Sequence, residues 1–185
     1  MAAKATGSRA VADKLAGIVT DHELSEVVVR VARWALAAKY RLVTAESCTG
    51  GWIAKVFTDV AGSSRWFECG YVTYSNEAKA RDLGVSLRTL EEHGAVSEPT
   101  VREMAAGALR VSSADVSIAV SGIAGPDGGS AEKPVGTVWF CVGRRVGPNI
   151  ELMVEGDLFG GNREAVRRAS VQRALELLLR FEAHA

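Results

Sequence analysis

"RLVTAESCTGGWIAKVF" (residues 41–57) decides the architecture. Arg41–Ala45 carries Leu42, Val43 and Thr44, side chains that suit a half-buried pleated surface, and reads as a short strand. Ile53, Val56, Phe57 and Val60 recur at helical spacing, and the helix they mark stops near Gly62. Gly50 and Gly51 lie between, where a tight turn needs them. A strand that turns directly into a helix is the first half of a βα unit, the building block of a sheet covered by helices.

The same alternation continues on either side. Upstream, Leu24, Val27, Val28, Val31, Trp34, Ala35 and Ala38 predict a helix over 23–40. Downstream, "GYVTYS" (70–75) is a strand, Asn76–Leu83 a short helix closed by Gly84, and Ser86 and Ser97 are N-cap candidates for two more helices. The second of these opens with Glu98–Pro99, which suits a first helical turn. "DVSIAVS" (115–121) is a strand running into the glycine-rich "GIAGPDGGSAEKP". "VGTVWFCVG" (135–143) and "IELMVEG" (150–156) are strands joined across "VGPN". A last helix starts near Asn162, with Val166, Val171, Ala174, Leu175, Leu178 and Phe181 facing inward. Strand–helix alternation followed by a hairpin predicts an α/β fold, a three-layer α/β/α sandwich with a mixed sheet. Residues 1–22 read as an N-terminal tail or short packing helix, and 23–182 as a single domain.

Composition excludes several classes. The chain has 185 residues, 48% apolar and 24% charged, with 22 basic and 22 acidic side chains, so no global charge draws it to nucleic acid. It has no apolar run long enough for a membrane span, and "MAAKATGSRAVADKLAGIVT" is no signal peptide, which makes the expected location cytoplasmic. Cys48, Cys69 and Cys141 are odd in number and form no CxxC; with His22, His93 and His184 they offer no zinc spacing. Neither a metal nor an organic cofactor is expected. Trp34, Trp52 and Trp66 are a source of apolar surface that a homodimer would cover.

In helix-flanked sheets, ligands bind beyond the carboxyl ends of the strands. Three segments meet that description: 46–51, 75–79 and 121–130. Ser47 lies just past a strand at a helix mouth, where an anion or a developing oxyanion is favoured. The plain alternative is that Ser47 or Thr49 is an N-cap. A serine nucleophile needs a base. His22 and His184 lie near the chain ends, and His93 ends a helix. Lys79, one turn into the helix of "YSNEAK", can reach Ser47 across neighbouring loops, and partial burial would leave it a neutral amine. Tyr74 would relay the proton or orient the lysine; the bland reading is a solvated lysine and a strand tyrosine. Cys48 is the rival nucleophile, acidified at a helix N-terminus, or else a packed thiol. The 121–136 loop lacks the Walker pattern, and Lys133 precedes a proline, so it suits a ligand-enclosing loop better than a phosphate cradle. Arg163, in the first turn of the last helix, would answer an anion or simply face solvent.

"TAESCTGGWIAKVFTDVAGSSRWFECGYVTYSNEAKARDLGV", "HGAVSEP", "SGIAGPDGGSAEKPVGTVWF" and "GNREAVR" together resemble the CinA C-terminal family, from about residue 23 to 182. The family includes stand-alone nicotinamide-nucleotide amidases. The resemblance implies an amidohydrolase in pyridine nucleotide recycling that turns nicotinamide mononucleotide into nicotinic acid mononucleotide and ammonia. It places the family's serine on Ser47 and its tyrosine and lysine on Tyr74 and Lys79. The implied route is attack by Ser47, with neutral Lys79 as base assisted by Tyr74, through an acyl-enzyme that water then cleaves. Thr49, Gly50, Gly51, Asn76, Ser121, Gly122, Gly125 and Arg163 are the expected substrate contacts. The family often has an aspartate before that arginine, where this chain has Asn162. The competing expectation is a catalytically silent nucleotide-binding module linked to a competence or DNA-damage response.

Overall fold

The computed structural model describes residues 19–182. Most of the expected tail or packing helix over 1–22 therefore lies outside the described residues. Helix α1 (Asp21–Ala38) starts two residues before the expected bound, because Thr20 caps it: its hydroxyl accepts from the Glu23 amide, and the Glu23 carboxylate accepts from the Thr20 amide in return. The remaining elements are β1 (Leu42–Glu46), α2 (Trp52–Thr58), a 3₁₀ turn at Ser63–Arg65, β2 (Phe67–Val72), α3 (Asn76–Leu83), α4 (Leu87–His93), α5 (Glu98–Arg110), β3 (Val116–Gly122), β4 (Thr137–Val146), β5 (Asn149–Leu158) and α6 (Arg163–Glu182).

One five-stranded sheet, ordered β2-β1-β3-β4-β5, carries them. The first three strands are parallel, and β4 and β5 are antiparallel additions. Side-chain alternation divides the core into two layers. Val138, Phe140 and Val142 of β4 join Leu24, Val31, Ile53, Phe57, Leu175 and Leu178 from α1, α2 and α6 on one face. Trp139 and Cys141 join Leu83, Leu90, Val101, Met104 and Leu109 from α3, α4 and α5 on the other. The fold is thus the expected α/β/α sandwich with a mixed sheet. Gly84, in the left-handed region, closes α3 as expected.

Three local expectations differ. Strand β2 runs 67–72 and not 70–75. Its start is fixed by aromatic packing of Phe57 on Trp66 and Phe67, and its chain leaves the sheet at Thr73 to reach Ser75, the N-cap of α3. The β4–β5 hairpin is longer than the two short apolar runs, because polar Arg144 and Glu151 pair across it. Ser86 makes no capping bond; its amide donates to Glu103 instead, whereas Ser97 does cap α5. Trp34 and Trp66 are core residues, so they supply no surface for a homodimer.

Candidate active site

Strand β1 leaves the sheet between β2 and β3, and the helices that follow β1 and β2 pack on opposite faces. That divergence opens a crevice at the carboxyl end of β1. Ser47 sits at its floor, 8% exposed, with its amide donating to the Val120 carbonyl at 3.0 Å. The adjoining Thr73 amide donates to the Glu46 carbonyl at 2.9 Å. Sheet-type backbone bonds therefore hold both flanks of the crevice.

Lys79 is brought there by the short helix α3, and its side chain is 0% exposed. Its Nζ is 3.1 Å from Ser47 Oγ, 2.8 Å from the Thr73 carbonyl and 3.5 Å from the Tyr74 carbonyl. Burial disfavours the ammonium and pulls the Lys79 pKa below its ordinary value of 10.5. In its neutral form a lysine amine placed here has two N–H groups for the carbonyls and a lone pair for the Ser47 hydroxyl. A solvated surface lysine would have none of these features.

Cys48 behaves oppositely to a reactive thiol. It packs in the core with α2, and burial pushes its pKa up to about 12. The acidification expected at a helix N-terminus does not occur, because desolvation outweighs it. His93 ends α4, where its ring pairs with Glu92 and its carbonyl accepts from Lys133. Lys133 therefore ties the glycine-rich loop to α4.

The helix mouth beside Ser47 is already filled. The Glu46 carboxylate, wholly buried, accepts from the Ile53 amide at 3.0 Å, the Ala54 amide at 2.9 Å and the Thr49 hydroxyl at 2.8 Å. The Trp52 and Lys55 amides donate to the Thr49 and Gly51 carbonyls. Every first-turn amide of α2 has a partner, so the helix terminus itself has no free donor for a substrate anion. Thr49, Gly50 and Gly51 remain relevant as a turn rather than as a helix mouth. Gly50 sits at φ +62°, and a Cβ there would stand 3.4 Å from the Arg167 guanidinium.

The remaining expected residues spread around the rim. Tyr74 is 61% exposed; its hydroxyl accepts from Arg163 at 3.0 Å, and its carbonyl, not its hydroxyl, meets Lys79. A proton relay through the Tyr74 hydroxyl is thus not connected to Lys79. Arg163 also donates to the Gly125 carbonyl at 2.9 Å. Asn162 accepts from the Ala165 amide at 2.9 Å, the capping bond an aspartate would make. Ser121 is buried and donates to the Ala95 carbonyl at 2.7 Å. A Cβ on Gly122 would press 2.6 Å against Val138 Cγ2, so packing on β4 requires the glycine. Asn76 is exposed at the start of α3. Two residues outside the expected set also shape the site. Glu46 holds the turn from within, and Arg167 holds the Cys48 and Thr49 carbonyls from α6. The signal for Arg167 was present in "NREAVRR": it lies four residues after Arg163, on the same helix face.

Among the described residues, no helix is long and apolar enough to cross a membrane, and no group of three or more His, Cys, Asp or Glu side chains is placed to hold a metal ion. Comparison with known proteins identifies the CinA C-terminal domain over residues 24–181. The chain is 55% identical over 160 residues to the nicotinamide-nucleotide amidohydrolase PncC of Escherichia coli K12, spanning 86% of this chain and 95% of that one. A CinA-like protein of Geobacter sulfurreducens is 46% identical over 176 residues, which are 95% of this chain and 42% of that longer protein. Among solved structures, the competence/damage inducible protein CihA of Agrobacterium tumefaciens superposes with a TM-score of 0.83 at 43% identity, covering 86% of this chain and 96% of that one.

Proposed function

We infer the activity from family and site together: this chain belongs to the CinA C-terminal domain family, and it is an amidohydrolase that acts on a nicotinamide nucleotide. The finer reading is hydrolysis of nicotinamide mononucleotide to nicotinic acid mononucleotide and ammonia, a step of pyridine nucleotide recycling. The observation that carries it is the buried Lys79 Nζ 3.1 Å from Ser47 Oγ.

Neutral Lys79 takes the Ser47 proton as Oγ attacks the carboxamide carbon. The carbonyl oxygen becomes an oxyanion, which needs donors already aimed at it. With the α2 amides engaged, the amides of the 48–49 turn are the candidates on this side. The Lys79 ammonium then gives its proton to the departing nitrogen, and ammonia leaves an acyl-serine. Water, deprotonated by the same lysine, attacks the acyl carbon, the acyl–Oγ bond breaks as Lys79 returns that proton to Ser47 Oγ, and the acid product leaves as its carboxylate. Tyr74 serves this cycle through its carbonyl, which orients Lys79, while its hydroxyl and Arg163 form the mouth of the site. Arg163, Asn76 and the 121–125 loop bind the nucleotide there, with Arg163 offering a charge-assisted contact to the phosphate. No metal or cofactor takes part in these steps.

A silent nucleotide-binding module would have no use for a fully buried amine against a serine hydroxyl, since burying it without a function only costs stability. The test is ammonia release from nicotinamide mononucleotide by purified protein. Release by the wild-type chain and none by Ser47→Ala supports the reading; no release by the wild-type chain favours the silent module.

A further inference from the structure

Two arginines of α6, one helical turn apart, reach the crevice from the layer opposite Lys79. Arg163 goes to the rim. Arg167 goes to the backbone of the nucleophile turn: Nε donates to the Cys48 carbonyl at 3.0 Å and a terminal nitrogen to the Thr49 carbonyl at 2.7 Å. The guanidinium is steadied over the Trp52 ring, 5.1 Å from its centroid. Arg168 and Arg173 of the same helix pair with carboxylates, whereas among the described residues no carboxylate pairs with Arg167. Its charge is spent on two main-chain carbonyls next to Ser47.

A trans peptide points its carbonyl and its amide in opposite directions. Holding the Cys48 and Thr49 carbonyls toward α6 therefore turns the Thr49 and Gly50 amides away from α6. The Gly50 amide donates to the Ser47 carbonyl at 3.0 Å, which pins the backbone of the nucleophile. The Thr49 amide takes no hydrogen bond among the described residues. Thr49 is wholly buried beside Ser47, so this unpartnered amide lies in the floor of the crevice.

We propose that Arg167 is a positioning residue for the reaction: it orients and polarises the 48–49 peptide so that the Thr49 amide is presented to the oxyanion formed on attack by Ser47. The guanidinium touches neither the substrate nor Ser47. Its positive charge on the carbonyl strengthens the amide of the same peptide as a donor, and its fork keeps that amide from turning. The assignment rests on Ser47 being the nucleophile.

The experiment compares Arg167→Met, which keeps a stem over Trp52, with Arg167→Lys and Arg167→Ala. Loss of one oxyanion donor costs roughly 10²–10³-fold in kcat, and a donor that is loosened but not deleted should lose about 100-fold of it. KM should change little, because the oxyanion exists only in the transition state. Lysine should not substitute, since an ammonium cannot fork to two carbonyls. Methylguanidine added to Arg167→Ala should restore kcat in a saturable manner, with KM unchanged. A purely structural role would give instead a lower melting temperature, a raised KM and no response to methylguanidine, and that pattern overturns the proposal. So does an Arg167→Met kcat within threefold of wild type. Ser47→Ala, assayed alongside, separates the two ideas. If it remains active, the nucleophile assignment fails and takes this proposal with it. If it is inactive while Arg167→Met turns over normally, only the role of Arg167 falls.

Discussion

Replacing Lys79 by methionine tests the proposed chemistry most directly. Methionine fills the same buried channel but has no basic nitrogen. Lys79 Nζ faces Ser47 Oγ, the Thr73 carbonyl and the Tyr74 carbonyl, so the substitution removes the proton acceptor while leaving the nucleophile in place. A positioned general base is worth about 10²–10⁴-fold, or about 2.7–5.5 kcal/mol of barrier at 1.36 kcal/mol per decade. The assay is steady-state ammonia release as a function of pH. In the wild-type protein, kcat should rise with pH through one ionisation lying below 10.5, because only the neutral amine accepts a proton and burial lowers the Lys79 pKa. The methionine variant should be slow and lack that limb. Stability gives a second readout. Between the lowered folded pKa and 10.5, the unfolded chain carries a proton on Lys79 that the folded chain does not, so this group makes stability rise with pH across that window. Above 10.5 the contribution is level, and methionine should erase the rise. Lys79→Arg should fail as well, since guanidinium stays protonated. Methionine turnover within tenfold of wild type, or a rising limb that survives the substitution, would refute the assignment. Near-normal turnover by the arginine variant would make Lys79 a charge and not a base.

Ser47→Ala should abolish hydrolysis with the fold intact, and Cys48→Ala should retain most activity; paired assays with the opposite pattern would move the nucleophile to the buried thiol. Arg163→Ala should weaken binding of the phosphorylated substrate by about 1.5–3 kcal/mol, seen as a raised KM. The phosphate-free riboside should suffer less, and an equal loss on both would assign Arg163 only to holding Tyr74 and Gly125. Glu46→Gln should cost about 1–3 kcal/mol in urea unfolding, because both carboxylate oxygens accept from buried donors and an amide NH₂ must leave one of those donors unpaired. A change below about 0.5 kcal/mol would mean that the turn is held by other contacts.

Local periodicity made the layers legible. Apolar alternation in β4 and the inward face of α6 follow from elementary spacing, and Val166, Val171, Ala174, Leu175 and Leu178 are all fully buried. The Ser47–Lys79 encounter was legible for a different reason: the ends of neighbouring parallel strands must meet, so residues just past β1 and just past β2 become neighbours despite their separation of 32 positions. Hydrogen-bond partners were not legible. In "AESCTGG", Glu46 reads as a buried partner for a backbone or cationic group and not as an acid catalyst, but which three donors it meets at the first turn of α2 depends on the folded turn. Cys48 reads as a packed thiol in place of a nucleophile, and it does lie in the core, where desolvation removes its acidity. Tyr74 shows the same limit: its position in sequence was informative, but its hydroxyl is directed by Arg163, 89 residues away.

The site therefore combines a rigid part and an adjustable part. Ser47 is fixed by a bond to β3, Thr73 by a bond to β1, and Lys79 by a fully buried stem, so the distance between the proposed nucleophile and the proposed base is set by the sheet and not by loops. Such a pair needs little reorganisation during attack, which is the condition under which a neutral lysine is an effective base. The rim is built differently. Tyr74 is exposed, Asn76 begins a short helix, and Arg163 bridges a tyrosine hydroxyl and a loop carbonyl, contacts that an incoming nucleotide can exchange for its own. Changes in substrate preference should accordingly arise at Tyr74, Asn76 and Arg163, whereas substitutions at Glu46, Ser47 and Lys79 should alter turnover on every substrate alike.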